Sequence, residues 1–235
     1  MISKHASPAR GRPSSKGIGV PNERPNFAYR VNELFTSIQG EGFYMGVPSV
    51  FIRLQGCTVG CTWCDTKYTW KAGGKRMTVP EIMAYGSLAA VQHVVITGGE
   101  PTIWDLDPLM DALWREGHYI QLETSGQNML KGEFKPDWIT WSPKRRLDYR
   151  CPAALLGYVD EVKWVVDEEL RLEHVVGAEY LLNKVRVMGQ APPVICLMPE
   201  GCPPRPEMVK KTLEWLSQEP DWRYSDRLQY RIGVK

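Results

Sequence analysis

Apolar residues between positions 27 and 235 come in short runs, and most runs stop at a cluster of small polar residues. Residues 31–38 read as a strand or strand-like lead-in. Residues 50–54, 92–97, 119–123, 138–141, 161–166 and 193–198 read as strands, being short, apolar and bounded by turn residues. A helical period appears between them. Over 105–116, Leu106, Leu109, Met110, Leu113 and Trp114 share one face, Asp105 or Asp107 caps the start, and Gly117 follows the end. Thr78 as N-cap, with Pro80 and Glu81 in the first turn, predicts a helix over 78–90. Further helices are predicted near 168–183 and over 206–218. The last begins at Pro206 and sets Val209, Leu213 and Leu216 on one face.

Six short strands after the lead-in, joined mostly by helices, predict an α/β chain with a largely parallel sheet. Six βα units are two short of a closed eight-fold barrel, so the expected architecture is a partial, open (βα)6 barrel. Ligands of such folds sit at the carboxyl ends of the strands. The polar turns found there are Gln55-Gly56-Cys57, Thr97-Gly98-Gly99-Glu100-Pro101, Glu123-Thr124-Ser125-Gly126 and Ser142-Pro143-Lys144. One site built from those turns is the prediction. Gln39-Gly40-Glu41-Gly42 is a glycine-rich loop, but no helix opens after it, so it is not a nucleotide fingerprint.

Composition narrows the classes. A hydrophobic content of 43% and a charged content of 24% are ordinary for a soluble globular chain. No apolar run approaches the ~20 residues that span a bilayer, and no secretory h-region is present, which predicts a cytoplasmic protein without membrane contact. A net charge of +2 gives no argument for direct nucleic-acid binding. Residues 1–26, with Lys4, Arg10, Arg12 and Lys16 and little apolar content, read as a flexible tail ahead of one domain over 27–235. Six cysteines in a chain of this kind do not form a disulfide framework. Cys151, Cys196 and Cys202 are scattered, and their spacing does not suggest a second cluster.

Cys57, Cys61 and Cys64 are grouped directly after the strand 50–54. A structural zinc site wants four ligands in paired spacing, and a Cys61–Cys64 redox dithiol leaves Cys57 idle. A four-iron cluster held by three thiolates keeps one iron open to an exogenous ligand. On spacing alone the three readings stay open.

The C-x3-C-x2-C spacing, with Trp63 before the third cysteine, resembles the radical S-adenosylmethionine (SAM) superfamily, as does Gly98-Gly99-Glu100-Pro101. The wider set (Gln39-Gly40-Glu41-Gly42, Phe51-Ile52-Arg53-Leu54, Cys64-Asp65-Thr66 and the turns named above) resembles 7-carboxy-7-deazaguanine synthases over roughly residues 30–235. The resemblance implies a partial barrel of the radical SAM type and an enzyme that contracts the ring of 6-carboxy-5,6,7,8-tetrahydropterin with loss of ammonia. It implies a [4Fe–4S] cluster on Cys57, Cys61 and Cys64, and SAM against Trp63, Gly98, Gly99, Glu100, Ser125, Ser142 and Lys144. It also implies Mg2+ on Thr66, beside Asp65, with a flavodoxin-like one-electron reductant and a homodimeric state. Gln39, Glu41, Arg53, Gln229 and Lys235 would face the substrate, the arginine offering its fork to a carboxylate. Lys163, inside an apolar strand, is expected to face SAM or the site.

Two positions depart from the family pattern. Met198-Pro199 stands where a Gln-Pro is usual, and Gln229 stands where a histidine is usual, which removes a proton carrier there. Two rivals remain on sequence grounds: a small activase of glycyl-radical enzymes, and a non-enzymatic iron–sulfur carrier or zinc-binding module.

Overall fold

Alternation along the strands decides which side chains meet which layer. In the computed structural model, which describes residues 27–132, 134–185 and 191–235, nine strands belong to one sheet. They are β1 (Ala28–Ile38), β2 (Pro48–Leu54), β3 (Lys75–Thr78), β4 (His93–Gly98), β5 (Tyr119–Thr124), β6 (Trp138–Trp141), β7 (Glu161–Val166), β8 (Val194–Pro199) and β9 (Arg223–Tyr224). The α-helices of the described residues are α1 (Val79–Met83), α2 (Asp107–Arg115), α3 (Ala153–Leu156), α4 (Leu172–Val185), α5 (Pro206–Gln218) and α6 (Leu228–Arg231).

The sheet runs in the order β3-β1-β2-β4-β5-β6-β7-β8-β9. Each neighbour pair from β2 to β9 is parallel, while β1 lies antiparallel to both β2 and β3. The end strands β3 and β9 do not meet, so the expected open partial barrel is what forms. The N-terminal stretch 1–26, read as a flexible tail, lies outside the described residues.

Period-two alternation splits the strands cleanly. One set of faces, carrying Ile52, Leu54, Val94, Ile96, Ile120 and Leu122, packs with Leu109, Met110 and Leu113 of α2. A second core joins Ile139, Trp141, Val162, Trp164 and Val166 to Val175 and Leu182 of α4 and Trp215 of α5. The intervening residues point to the other face. Arg53, Gln121, Glu123, Thr140, Glu161 and Lys163 alternate with those apolar side chains, so the concave side of the sheet is polar although much of it is buried.

Several expectations need correction. The helix predicted over 78–90 breaks into α1 and a separate 3-10 turn over Gly86–Ala89. Thr78 does cap it, in a capping box with Glu81. Between β5 and β6 the described residues of 125–137 form a loop, so one βα unit lacks its helix. The predicted helix near 168–183 starts later, at Leu172, because Asp167 Oδ1 accepts from Glu169 N and Leu170 N in a preceding turn.

The inward stripe of α5 is Met208, Thr212 and Trp215, while Leu213 is 54% exposed. Thr212 tolerates burial by donating its hydroxyl to Met208 O at 2.7 Å, which lets the larger Trp215 rather than Leu213 face the sheet. Leu122→Ala, fully buried between β4 and β6, is expected to cost about 3 kcal/mol of unfolding free energy. Leu213→Ser should change it by less than about 0.5 kcal/mol. Denaturant unfolding of the two variants measures both.

Candidate active site

The chain leaves β2 into the cysteine loop, and the turn after β4 is stitched to it. Gly99 N donates to Leu54 O at 3.0 Å and Glu100 N to Gly56 O at 2.8 Å. A Cβ on Gly99 would collide with Gly56 O and with Cys57 Cβ, so only glycine allows this approach. Gln55 fastens the other side of the loop: its Nε2 donates to Tyr68 O and Lys71 O, and its Oε1 accepts from Asn32.

Cys57, Cys61 and Cys64 are free, half-buried thiols lining one cleft of about 280 Å³. Burial pushes the Cys57 and Cys61 thiols up, so both keep their protons until a metal displaces them. Among the described residues no three His, Cys, Asp or Glu side chains converge as a single metal ion requires. Three thiols spread around one cleft wall suit a multi-iron cluster, whose thiolates bind different irons. Lys144 lines the same cleft. Its Nζ lies 4.7 Å from the centre of the Trp63 ring and 2.5 Å from Ser142 Oγ.

Glu100 is placed differently from the other expected SAM contacts. It is 1% exposed and does not line the cleft. Its carboxylate accepts from Thr102 N, Thr102 Oγ1, Thr124 Oγ1, Ser125 N and Ser125 Oγ. It therefore joins the turn after β4 to the turn after β5. Trp63, Gly98, Gly99, Ser125, Ser142 and Lys144 line the cleft, and so does Met198.

The opposite wall is built on a buried cation. Lys163, on β7, reaches Glu41 Oε2 at 2.7 Å and Glu123 Oε1 at 3.2 Å. Burial disfavours the charge on Glu41, yet Lys163 and then Arg227 outweigh it and hold the carboxyl down to about 2. Burial likewise works against the Lys163 ammonium, and Glu123, Glu41 and Glu161 together push its pKa up. Gln39 Nε2 donates to Glu123 Oε1 and Gln121 Oε1, and Gln39 Oε1 accepts from Glu41 N. Beneath them Glu161 accepts from Trp138 Nε1, Thr140 Oγ1 and Phe43 N, and burial pushes its carboxyl up.

The segment after β9 closes the site. Leu228 N donates to Gly40 O at 3.0 Å, Gly42 N to Ser225 Oγ at 2.8 Å, and Gln229 Nε2 to Glu41 Oε1 at 3.1 Å. Tyr230 OH reaches Asp65 Oδ2 at 3.3 Å, so Asp65 is tied to this segment and caps no helix. Thr66 begins a 3-10 turn without side-chain capping, and its hydroxyl lies 3.5 Å from Cys64 Sγ.

At the rim Glu33 gathers Arg53 Nε at 2.9 Å, Lys235 Nζ at 2.6 Å and Tyr68 OH at 3.2 Å. Arg53 thus faces the cleft with its Nε already engaged.

The sequence reading missed Glu33, Arg227 and the anchoring role of Glu123. Glu123 was legible as the polar alternate in an apolar strand. Arg227 and Glu33 carried no local signal.

With its pKa depressed, Glu41 contributes stability that is present above the ordinary value of 4.5 and lost as pH falls toward about 2. Glu161, shifted upward, acts in the opposite sense, so the comparison is made against Glu41→Gln. That variant should be less stable than wild type near pH 6, and the gap should close as pH falls through this window. Denaturant midpoints measured across pH 2–7 test it.

Residues 51–139 match the model of the radical SAM superfamily. The 7-carboxy-7-deazaguanine synthase of Escherichia coli K12 is 37% identical over 195 residues, covering 73% of this chain and 84% of that protein. The protein of that name from Bacteroides thetaiotaomicron is 33% identical over 207 residues, covering 88% and 98%. That from Synechocystis is 42% identical over 154 residues, covering 65% and 72%. A crystal structure of QueE from Escherichia coli superposes with a TM-score of 0.71 at 33% identity, covering 86% of this chain and 94% of that one. Sequence and fold agree: the chain belongs to the 7-carboxy-7-deazaguanine synthase family of radical SAM enzymes.

Proposed function

We propose that this chain converts 6-carboxy-5,6,7,8-tetrahydropterin to 7-carboxy-7-deazaguanine, a carbon–nitrogen lyase reaction in the making of 7-deazaguanine and queuosine precursors. The observation that carries the reading is the union in one cleft of the three-cysteine loop with an ionised carboxylate braced by buried cations. A carrier or a zinc module needs no such second wall.

Cys57, Cys61 and Cys64 would hold a [4Fe–4S] cluster, and the turns after β4, β5 and β6 would hold SAM. When bound, this pair supplies a carbon-centred radical able to take hydrogen from the substrate. The remaining work belongs to the protein. Glu41, kept charged, accepts N–H bonds from a pterin edge, and Gln39 fixes its orientation through the Glu41 backbone. Lys163 stays protonated between two carboxylates and acts as a fixed charge rather than a base. Arg53 presents the remaining nitrogens of its guanidinium to a substrate carboxylate.

Thr66 Oγ1, free of any capping bond, is the protein oxygen offered to Mg2+, with substrate and water completing a hard-cation shell. Gln229 cannot carry a proton, so it binds without acid–base work. The chain's expected place is the cytoplasm; among the described residues no helix is long and apolar enough to cross a membrane. A homodimer and a flavodoxin-like reductant complete the reading.

Anaerobic reconstitution with iron and sulfide, then incubation with SAM, dithionite, Mg2+ and carboxytetrahydropterin, should yield 7-carboxy-7-deazaguanine by chromatography and mass. Protein that holds four irons and cleaves SAM but forms no deazaguanine would refute the substrate assignment. Cys57→Ala should lose both the cluster absorbance and SAM cleavage. Thr66→Val should weaken the Mg2+ response of product formation by about tenfold while leaving iron content unchanged.

A further inference from the structure

Helix α4 is apolar on two sides. Val175, Ala178 and Leu182 turn inward to the second core, as a surface helix requires. The opposite side carries Val176, Tyr180 and Leu181, which are 42%, 65% and 51% exposed. A helix with apolar residues all round is one that is covered on both sides. Gly177 lies in the middle of the exposed side, and a Cβ there would meet nothing within 4 Å. Glycine is the poorest helix former after proline, so an alanine would suit this chain's own fold better. Nothing among the described residues calls for a glycine at this point. Its missing side chain leaves room for a large group arriving from outside the chain.

The charges on that side decide what arrives. Glu173 stands one turn before Gly177 and Lys184 one turn after Tyr180; both are exposed, and neither is ion-paired among the described residues. Lys184 Nζ lies 6.0 Å from the centre of the Tyr180 ring. Glu173, Gly177, Tyr180 and Lys184 follow one another at spacings of four, three and four, the rhythm of a helix-pair seam. The pairs Glu173–Lys184 and Gly177–Tyr180 share one midpoint, between Ala178 and Glu179. An antiparallel copy of the helix therefore sets each Glu173 beside a Lys184 and each Tyr180 beside a Gly177. Val176 and Leu181 flank that seam on its two sides. The face is its own complement in charge and in size, as a two-fold interface demands. We infer that α4 pairs antiparallel with α4 of a second copy of this chain. A stable dimer buries roughly 800 Å² per partner, so the helix pair is the centre of the interface and neighbouring surface completes it. The inference deepens, and rests on, the homodimer reading above. Residues 1–26 are a poorer occupant, being basic and poor in apolar side chains against a face whose two charges cancel.

Sedimentation velocity on the full chain, reconstituted with iron and sulfide, reads the association over a dilution series. Wild type should be dimeric at tens of micromolar. Gly177→Gln puts a good helix former where a single copy has room, yet drives its side chain into Tyr180 of the second copy. It should keep the helical circular dichroism of wild type and weaken dimerisation by about tenfold or more. Tyr180→Ala should weaken it by a similar factor, as loss of a central aromatic does. Glu173→Lys sets lysine against lysine at both ends of the seam and should also favour the monomer. Adding Lys184→Glu to that variant exchanges the pairs and should restore the dimer.

A dimer of unchanged affinity in folded Gly177→Gln overturns the helix pair and leaves the homodimer to another surface. A wild type that stays monomeric at these concentrations overturns the helix pair and the homodimer reading together. Should Gly177→Gln lose helical signal, Tyr180→Ala decides the matter: a weakened dimer supports the pairing and an unchanged one overturns it. A double charge variant no tighter than Glu173→Lys alone overturns the antiparallel register.

Discussion

Lys163 sets the terms for the rest of the cleft. An ammonium taken out of water is costly unless carboxylates and hydrogen bonds surround it. Here Glu41 and Glu123 do so from two different parts of the chain, a loop before β2 and the end of β5. The charge in turn keeps Glu41 ionised in a buried place where a lone carboxyl would take up a proton. One inward-facing lysine on a strand thus ties three segments together and gives the cleft a permanent acceptor.

The second constraint is distance between backbones. The cysteine loop and the turn after β4 touch through Gly56, Gly98 and Gly99, with two backbone hydrogen bonds where side chains would otherwise stand. Glu100 extends the same join to the turn after β5 through five donors. The carboxylate of that turn serves as a buried hub for neighbouring loops. Loops joined this way are held at a fixed spacing from one another.

The third wall is supplied by the last part of the chain. Residues 225–235 cross from β9 to the loop of Gln39–Gly42, to Asp65 and to Glu33. They bring Arg227 and Gln229 against Glu41 and draw Lys235 to the rim beside Arg53. The cysteine loop and the wall around Glu41 thus face each other across the cleft and are joined at its edge by Tyr230 and Asp65.

The parallel strands, the polar turns at their ends and the three-cysteine loop were readable along the chain, because each is a local pattern of period, turn chemistry or ligand spacing. Leu106, Leu109, Met110 and Leu113 announced α2 in the same way. Other features had no local signature. Helix α5 turned Trp215 inward and left Leu213 exposed because a buried Thr212 could bond Met208 O, a choice made by the sheet it packs on. Glu33 as the partner of Arg53 follows from antiparallel register between β1 and β2. Arg227 joins Glu41 across most of the chain's length. Sequence determined the units and the three-cysteine loop, since those depend on neighbours in the chain. Tertiary structure decided which charges face each other, since burial and pairing of a charge are settled only by what other segments bring to it.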